Sequence, residues 1–269
     1  MLKTNWHTHT KRCGHAKGTD EEYVLEAIAA GVKTLGFSDH ACYKEPDPGL
    51  RMNYDQYDDY KQSILALKEK YKDQINIYLG MEVEYYPDQW EDLSRYRKEL
   101  DYCILGQHKL SFHGKSVYRV DCEEDFRSYV DMVELACDRG LCDYIAHPDV
   151  LMFRYPVVDG TAIETAERLA DISNRYQMPV ELNCGSGVIY GKHQFDDCIR
   201  YGYPVRQFFE VFAKKKCPVI IGLDIHDPKN FRTDTYIDRA LSVIEGLGCN
   251  IIDDYDLPAA AAERKKHFR

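Results

Sequence analysis

A chain of 269 residues, 44% hydrophobic and 30% charged, is long enough to bury one large α/β core, so a single domain over residues 1–269 is expected. A formal charge of −10 has the wrong sign for a general nucleic-acid binder, and no apolar run approaches the roughly 20 residues that a membrane-spanning helix needs. The ten cysteines are dispersed without a Cys-x-x-Cys pair and no apolar leader precedes the first histidine motif, which predicts reduced thiols packed as small hydrophobes in a cytoplasmic protein.

Taken in chain order, residues 5–8 read as a first strand and 19–30 as a helix, with Thr19 and Glu22 forming a capping box and Gly31 as its stop. Strands are then expected at 34–38, 75–84, 102–107, 144–146, 180–183 and 219–223, each a short apolar run. Between them the apolar spacing predicts helices at 54–71, 89–100, 123–139, 161–176, 203–215 and 234–245. The polar tail, 259–269, reads as a last exposed helix or a frayed end. About seven β/α units in strict alternation imply a parallel sheet closed, or nearly closed, into a TIM-like barrel. A doubly wound open sheet is the alternative that periodicity leaves standing.

The histidines carry the chemical signal. His7, His9, His15, His40, His108, His147 and His226 fall at or just beyond expected strand ends, joined there by Glu82 and Asp224. Strand ends are where a parallel α/β fold gathers its active groups. Alternation puts His7 and His9 on one face of an extended segment, and Asp224 and His226 on one face of another. Imidazole with carboxylate suits zinc, manganese or iron better than calcium or magnesium. Nine ligands exceed the needs of one ion, so two or three divalent transition-metal ions are expected, with a carboxylate bridging and a hydroxide between them poised to attack phosphorus. Such ions give an acidic chain the local positive charge that an anionic phosphate ester requires. Asp224 or His226 is expected to pass a proton to the departing alkoxide, and Arg154, Lys192 and His193 are the cationic candidates for gripping phosphate. A lone His-x-His is weak evidence; it is the joint occurrence that carries weight. His113 and His267, outside the pattern, read as solvated.

These motifs in this order resemble the polymerase-and-histidinol-phosphatase (PHP) family, and within it the monofunctional bacterial L-histidinol phosphate phosphatases. They run from His7-Thr8-His9-Thr10 and Cys13-x-His15-Ala16 through Phe37-Ser38-Asp39-His40, Gly80-Met81-Glu82-Val83-Glu84-Tyr85, Gly106-Gln107-His108 and Ala146-His147-Pro148 to Glu181-Leu182-Asn183 and Gly222-Leu223-Asp224-Ile225-His226. The resemblance implies a distorted seven-stranded (β/α) barrel with three metals and hydrolysis of a small-molecule phosphate monoester, L-histidinol phosphate. It implies His7, His9, Glu82 and Asp224 at one metal, Glu82, His108 and His147 at a second, and His15, His40 and His226 at a third. It also implies Asp39 as an acceptor orienting an imidazole. Two departures stand out. Leu223 and Ile225 replace the small residues usual around the last Asp, and the segment 184–193 lacks the expected arginine, leaving Lys192 and His193 as its cations. Glu84, Glu45 and Asp47, read as outward-facing, are the acids available for a substrate ammonium. A nucleotidase, a nuclease or a general phosphomonoesterase of the same family is the alternative activity, and a non-catalytic metal-binding scaffold is disfavoured because no ligand position is missing.

Overall fold

The structure, a computed structural model, describes residues 2–47 and 51–269. Strand and helix alternate as the apolar pattern predicts: β1 (Thr4–Asn5), α1 (Asp20–Ala29), β2 (Thr34–Phe37), α2 (Tyr57–Lys70), β3 (Asn76–Val83), α3 (Trp90–Glu99), β4 (Tyr102–Leu105), α4 (Glu123–Asp138), β5 (Tyr144–Ile145), α5 (Gly160–Arg175) and β6 (Val180–Asn183). A short helix α6 (Ser186–Ile189) and an antiparallel hairpin of β7 (His193–Gln194) with β8 (Ile199–Arg200) follow. The chain then completes the alternation with α7 (Arg206–Lys214), β9 (Pro218–Gly222), α8 (Thr235–Ile244), β10 (Asn250–Ile251) and α9 (Leu257–Lys265).

Eight strands share one parallel sheet in the order β1-β2-β3-β4-β5-β6-β9-β10. The seven expected strands are all present, and β10 is an eighth that pairs with the start of β9, Asn250 opposite Pro218 and Ile251 opposite Val219. The sheet curls into a distorted barrel. At its carboxyl end the ring is closed by chain beyond the strands: Thr8 bridges Ile225, the His9 amide donates to the Ile225 carbonyl at 3.0 Å, and the Ile225 amide donates to the His7 carbonyl at 3.3 Å. At the opposite end a cleft lined by Leu2, Trp6, Ile220, Ile252 and Tyr255 lies between β1 and the β9–β10 pair. The open doubly wound alternative is thereby set aside.

The helices pack apolar faces on this barrel. In α4 the residues Phe126, Tyr129, Val130, Val133, Ala136 and Cys137 recur at helical spacing and are all buried. The capping box at α1 forms, with the Glu22 amide donating to Thr19 Oγ1 at 3.3 Å and the Thr19 amide to Glu22 Oε2 at 2.6 Å. Helix α7 starts at Arg206, three residues later than its apolar spacing suggests, because a residue preceding proline is disfavoured in helical conformation and Tyr203 precedes Pro204. The tail docks instead of fraying: α9 buries Leu257 and Ala261, and the Phe268 ring stacks on Trp90 at 5.4 Å. Below the sheet a wholly buried Arg97 on α3 makes a two-pronged contact with Asp143 at 2.6 and 2.9 Å, and Asp143 also accepts the Cys103 amide. No helix among the described residues is long and apolar enough to cross a membrane.

Candidate metal centre

All nine predicted ligands arrive at one end of the barrel. His7 and His9 follow β1, His40 follows β2, Glu82 lies near the end of β3, His108 follows β4, His147 follows β5, and Asp224 and His226 follow β9. His15 enters from the loop after a 3-10 turn, Lys11–Cys13. Their rings form a continuous cluster, with centroids 5.0 Å apart for His7 and His9, 4.1 Å for His9 and His226, 5.3 Å for His15 and His40, and 5.0 Å for His108 and His147. His7, His9, Glu82, His147 and Asp224 make a buried floor, while His40, His108 and His226 are half-buried and His15 is exposed at the rim.

Hydrogen bonds on the far sides of the rings set which nitrogen is free. Nδ1 of His7 lies 2.8 Å from Glu181 Oε1, Nδ1 of His15 lies 3.1 Å from the Cys13 carbonyl, and Nδ1 of His226 lies 3.0 Å from the Asp224 carbonyl. Carboxylates and carbonyls accept only, so each Nδ1 carries the proton and each Nε2 keeps a lone pair facing inward. His7 Nε2, both nitrogens of His9, His226 Nε2 and Glu82 Oε2 are buried and make no hydrogen bond. A buried polar atom left unpaired costs about 1–3 kcal/mol, and several such atoms aimed at one centre are a coherent arrangement only if a cation belongs between them.

Glu82 sits where a bridging carboxylate should. Its Oε1 lies 2.8 Å from His147 Nε2 and 3.8 Å from His108 Nε2, while Oε2 lies 2.8 Å from His40 Nδ1 and 3.5 Å from His9 Nε2. Asp224 Oδ1 stands 3.2 Å from His9 Nε2 and 3.6 Å from His7 Nε2. His7, His9 and Asp224 bring donor atoms within 4.8 Å of one another, as do His7, Glu82 and His147, and as do His15, His40 and His226. These groups fit divalent transition-metal ions by donor chemistry.

The electrostatics say the same. Burial disfavours charge on His7 and His9, yet Glu181, Asp224 and Glu82 hold His7 well above its ordinary value, and Asp224, Asp39 and Glu82 raise His9 to about 9. Burial alone would raise Glu82 and Asp224, and the surrounding imidazoles instead hold both well below the usual carboxylate range. His40 and His226 are pushed down to about 3 by burial, with the positive charge of His9 adding to it. The floor is a negatively charged cavity that attracts protons or metal cations, and the rim imidazoles are neutral, lone-pair donors.

Around the nine lies a layer that their sequence pattern does not single out. Glu181 on β6 is wholly buried: its Oε1 accepts from His7 and from the Tyr144 hydroxyl at 3.3 Å, and its Oε2 accepts from the His147 amide at 2.9 Å and Asn183 Nδ2 at 2.8 Å. Glu84, read from sequence as outward-facing, is buried instead, with Oε2 2.6 Å from Arg51 and Oε1 accepting the His108 amide at 3.0 Å. Alternation was the available signal, since Glu84 stands two residues after Glu82, just past the end of β3, as Asn183 stands two after Glu181 on β6. Asp47 is likewise committed, to Lys109 and Arg51, and Glu45 to His113 and Gln89. Asp39 accepts from the Thr10 amide and hydroxyl and from the His40 amide, and faces His9 Nδ1 at 3.7 Å, which suits the orienting role. Two glycines make room: a Cβ on Gly106 would lie 1.8 Å from Glu82 Oε1, and one on Gly222 would lie 1.7 Å from Glu181 Oε1. His147 and Asp224 themselves adopt positive φ, +28° and +46°, unusual for non-glycine residues and typical of functional sites held by their surroundings.

Arg154 is exposed after a 3-10 turn, Val150–Phe153, and Lys192 and His193 are exposed at the start of the β7–β8 hairpin; among the described residues no hydrogen bond or ion pair joins them to the nine. Arg200 on that hairpin is occupied by the carbonyls of Met152, Tyr155, Tyr201 and Gly202. An aromatic wall borders the imidazoles, with Tyr118 6.1 Å from His108, Tyr203 6.0 Å from His147, and Phe153 between them at 5.4 and 5.8 Å. All ten cysteines are free thiols.

Fold and site together define an α/β barrel with a pocket of imidazoles and carboxylates suited to metal ions. The family model for the PHP domain matches residues 5–185, and the chain belongs to the PHP family. It is 26% identical to a protein of Deinococcus radiodurans named as a probable histidinol-phosphatase, over 82% of this chain and 85% of that one. The histidinol-phosphatase of Bacillus subtilis is 32% identical over a shorter stretch, 41% of this chain and 45% of that one. Among solved structures, the histidinol phosphate phosphatase of Lactococcus lactis, complexed with zinc, L-histidinol and phosphate, superimposes with a TM-score of 0.70 at 19% identity, covering 96% of this chain and 98% of that one.

Proposed function

We propose that this chain is a metal-dependent phosphatase that hydrolyses L-histidinol phosphate to L-histidinol and inorganic phosphate, the chemistry that its histidinol-phosphatase relatives are named for. The observation that carries the reading is the set of unpaired imidazole nitrogens and carboxylate oxygens facing one another, with Glu82 between two imidazole groups. His7, His9, Glu82 and Asp224 would hold one ion, Glu82, His108 and His147 a second, and His15, His40 and His226 a third. When bound, such ions neutralise phosphoryl oxygens and lower the pKa of water from about 15.7 toward 7, so that hydroxide is available at neutral pH.

The remaining work falls to the chain itself. Glu181 holds the His7 ring through Nδ1 and the His147 backbone through its amide, so two strands' ligands are set by one carboxylate. Glu84, backed by Arg51, fixes the His108 amide. With Nδ1 of His226 donating to a carbonyl and Nε2 turned to the metal position, His226 has no proton to give. Asp224, ionised among the imidazoles and held at Oδ2 by Asn183 Nδ2 at 3.3 Å, would therefore take a proton from the attacking water and pass it to the leaving oxygen. The half-buried Tyr118 offers a flat face beside His108 against which an imidazole-bearing leaving group can pack. Arg154 follows Phe153 of the aromatic wall and is the first cation for phosphate, with Lys192 and His193 on the hairpin as the others. A single domain over residues 1–269, a cytoplasmic location and a small-molecule rather than nucleic-acid substrate complete the proposal, the last favoured by the charge of −10.

Phosphate release from L-histidinol phosphate, nucleoside monophosphates and single-stranded DNA, before and after treatment with a chelator, tests it. L-histidinol phosphate is expected to be turned over preferentially, with loss on chelation and recovery on adding zinc or manganese. Full metal occupancy without hydrolysis of any ester, or a preference for nucleotides, would overturn it.

A further inference from the structure

We propose that Cys13 is a sulfur ligand of the metal centre, donating to the ion at His226; this rests on the metallophosphatase reading above. Nothing in the family motif requires it, and by sequence Cys13 is a small buried hydrophobe like the other thiols. Its surroundings differ from theirs. Cys13 is 1% exposed, and its Sγ lies within 4.8 Å of a ring nitrogen of His9 and one of His226, which lie equally close to each other. His9 is wholly buried with neither nitrogen hydrogen-bonded, and His226 Nε2 is buried and unpaired as well. Two imidazole lone pairs and a sulfur directed at one position make a donor set for a borderline-soft cation.

The local chain is shaped for this. Thr10 caps the 3-10 turn Lys11–Cys13, Gly14 reverses direction at φ +81°, and His15 Nδ1 donates back to the Cys13 carbonyl. Cys13 and His15 are thus two donors two residues apart, on a loop closed by its own hydrogen bond. His226 belongs both to the group with Cys13 and to the group with His15 and His40, and since its Nδ1 is committed to a carbonyl, Nε2 is the nitrogen both share. An ion held at that nitrogen has the Cys13 sulfur within reach, and a sulfur donor favours zinc over manganese. On binding, the thiol releases its proton to solvent and a sulfur–metal bond forms, with no change of oxidation state.

The test is spectroscopic and independent of turnover. Stripped protein reloaded with cobalt(II) is expected to show a sulfur-to-cobalt charge-transfer band in the near ultraviolet that disappears in Cys13→Ser, while the visible ligand-field bands from histidine-bound cobalt persist. The zinc-loaded wild type should show a zinc–sulfur distance of about 2.3 Å in X-ray absorption, and this settles the matter alone if the variant fails to fold. Ligand-field bands without the sulfur band, or a band undiminished in Cys13→Ser, overturns the assignment and leaves the phosphatase reading intact. A protein that takes up no ion overturns both.

Discussion

Glu181→Gln isolates the contribution of the acceptor layer to metal binding. The four donors that converge on Glu181, from His7, Tyr144, His147 and Asn183, divide evenly between its two oxygens. Glutamine preserves the shape but turns one oxygen into an NH2 group, so on whichever side it falls two donors face a donor. The Asn183 amide cannot flip to compensate, because its Oδ1 already accepts the Gly185 amide at 2.8 Å. Hydrogen bonds to a charged group are each worth about 1.5–3 kcal/mol, and loss of a carboxylate partner behind a ligating histidine typically lowers metal affinity about 10–100-fold, or about 1.4–2.7 kcal/mol. Zinc affinity measured by competition against chelators of graded strength should fall by that factor. Tyr144→Phe removes the longest of these bonds, at 3.3 Å, and should cost about 1.5–3 kcal/mol of stability, with zinc affinity unchanged. Wild-type zinc affinity in Glu181→Gln, with a lowered melting temperature as the sole effect, would refute the orienting role.

Gly106→Ala places a methyl group where Glu82 Oε1 lies, 1.8 Å from its Cβ, so metal content by elemental analysis should drop by at least one ion per chain, with about 1–3 kcal/mol of destabilisation from overpacking; full stoichiometry would count against the bridging geometry. Arg97→Met strips the buried Asp143 of its two-pronged partner, leaving it the Cys103 amide and Arg264 at 4.0 Å, and should cost up to about 3–5 kcal/mol in chemical denaturation while sparing kcat at 25 °C. In the chelated protein His9, at about 9, and His7 are raised above their unfolded value of 6.5. A raised folded-state pKa contributes stability that is complete below pH 6.5 and lost as pH climbs through about 9. The metal-free denaturation midpoint should therefore decline between those limits, and metal uptake at neutral pH should release protons, measurable by calorimetry in buffers of different ionisation heat. A midpoint that rises with pH over that window would contradict the charge balance of the floor.

The nine candidate ligands were legible in the sequence because all but His15 lie at or just beyond the end of an apolar strand, and the carboxyl ends of parallel strands meet in space whatever the loops do. Residues whose work lies in a partner were not legible. Glu84 looks like an exposed acid until Arg51, 33 positions away, is seen to cover it. Glu181 lies in a recognisable motif, yet that its four hydrogen-bond partners include ligands from β1 and β5 depends on how β6 enters the ring. Cys13 reads as a hydrophobe because His9 precedes it by one turn and His226 joins it only through barrel closure. The strand β10 and the β7–β8 hairpin lie outside the strands expected from sequence: each is two residues long, and their pairing depends on partners the chain brings up only in the fold.

What the sequence determined by itself was the alternation of strand and helix, the parallel sheet, and the chemistry of the donors, since period and side-chain type are local properties of the chain. What only the tertiary structure decided was which nitrogen of His7, His15 and His226 is free, which carboxylate stands between imidazoles and which backs them, and where the barrel closes. Those outcomes turn on hydrogen bonds between residues up to 218 positions apart, as between Leu223 and Asn5, and distances of a few ångströms across a closed ring are not encoded in any one stretch of it.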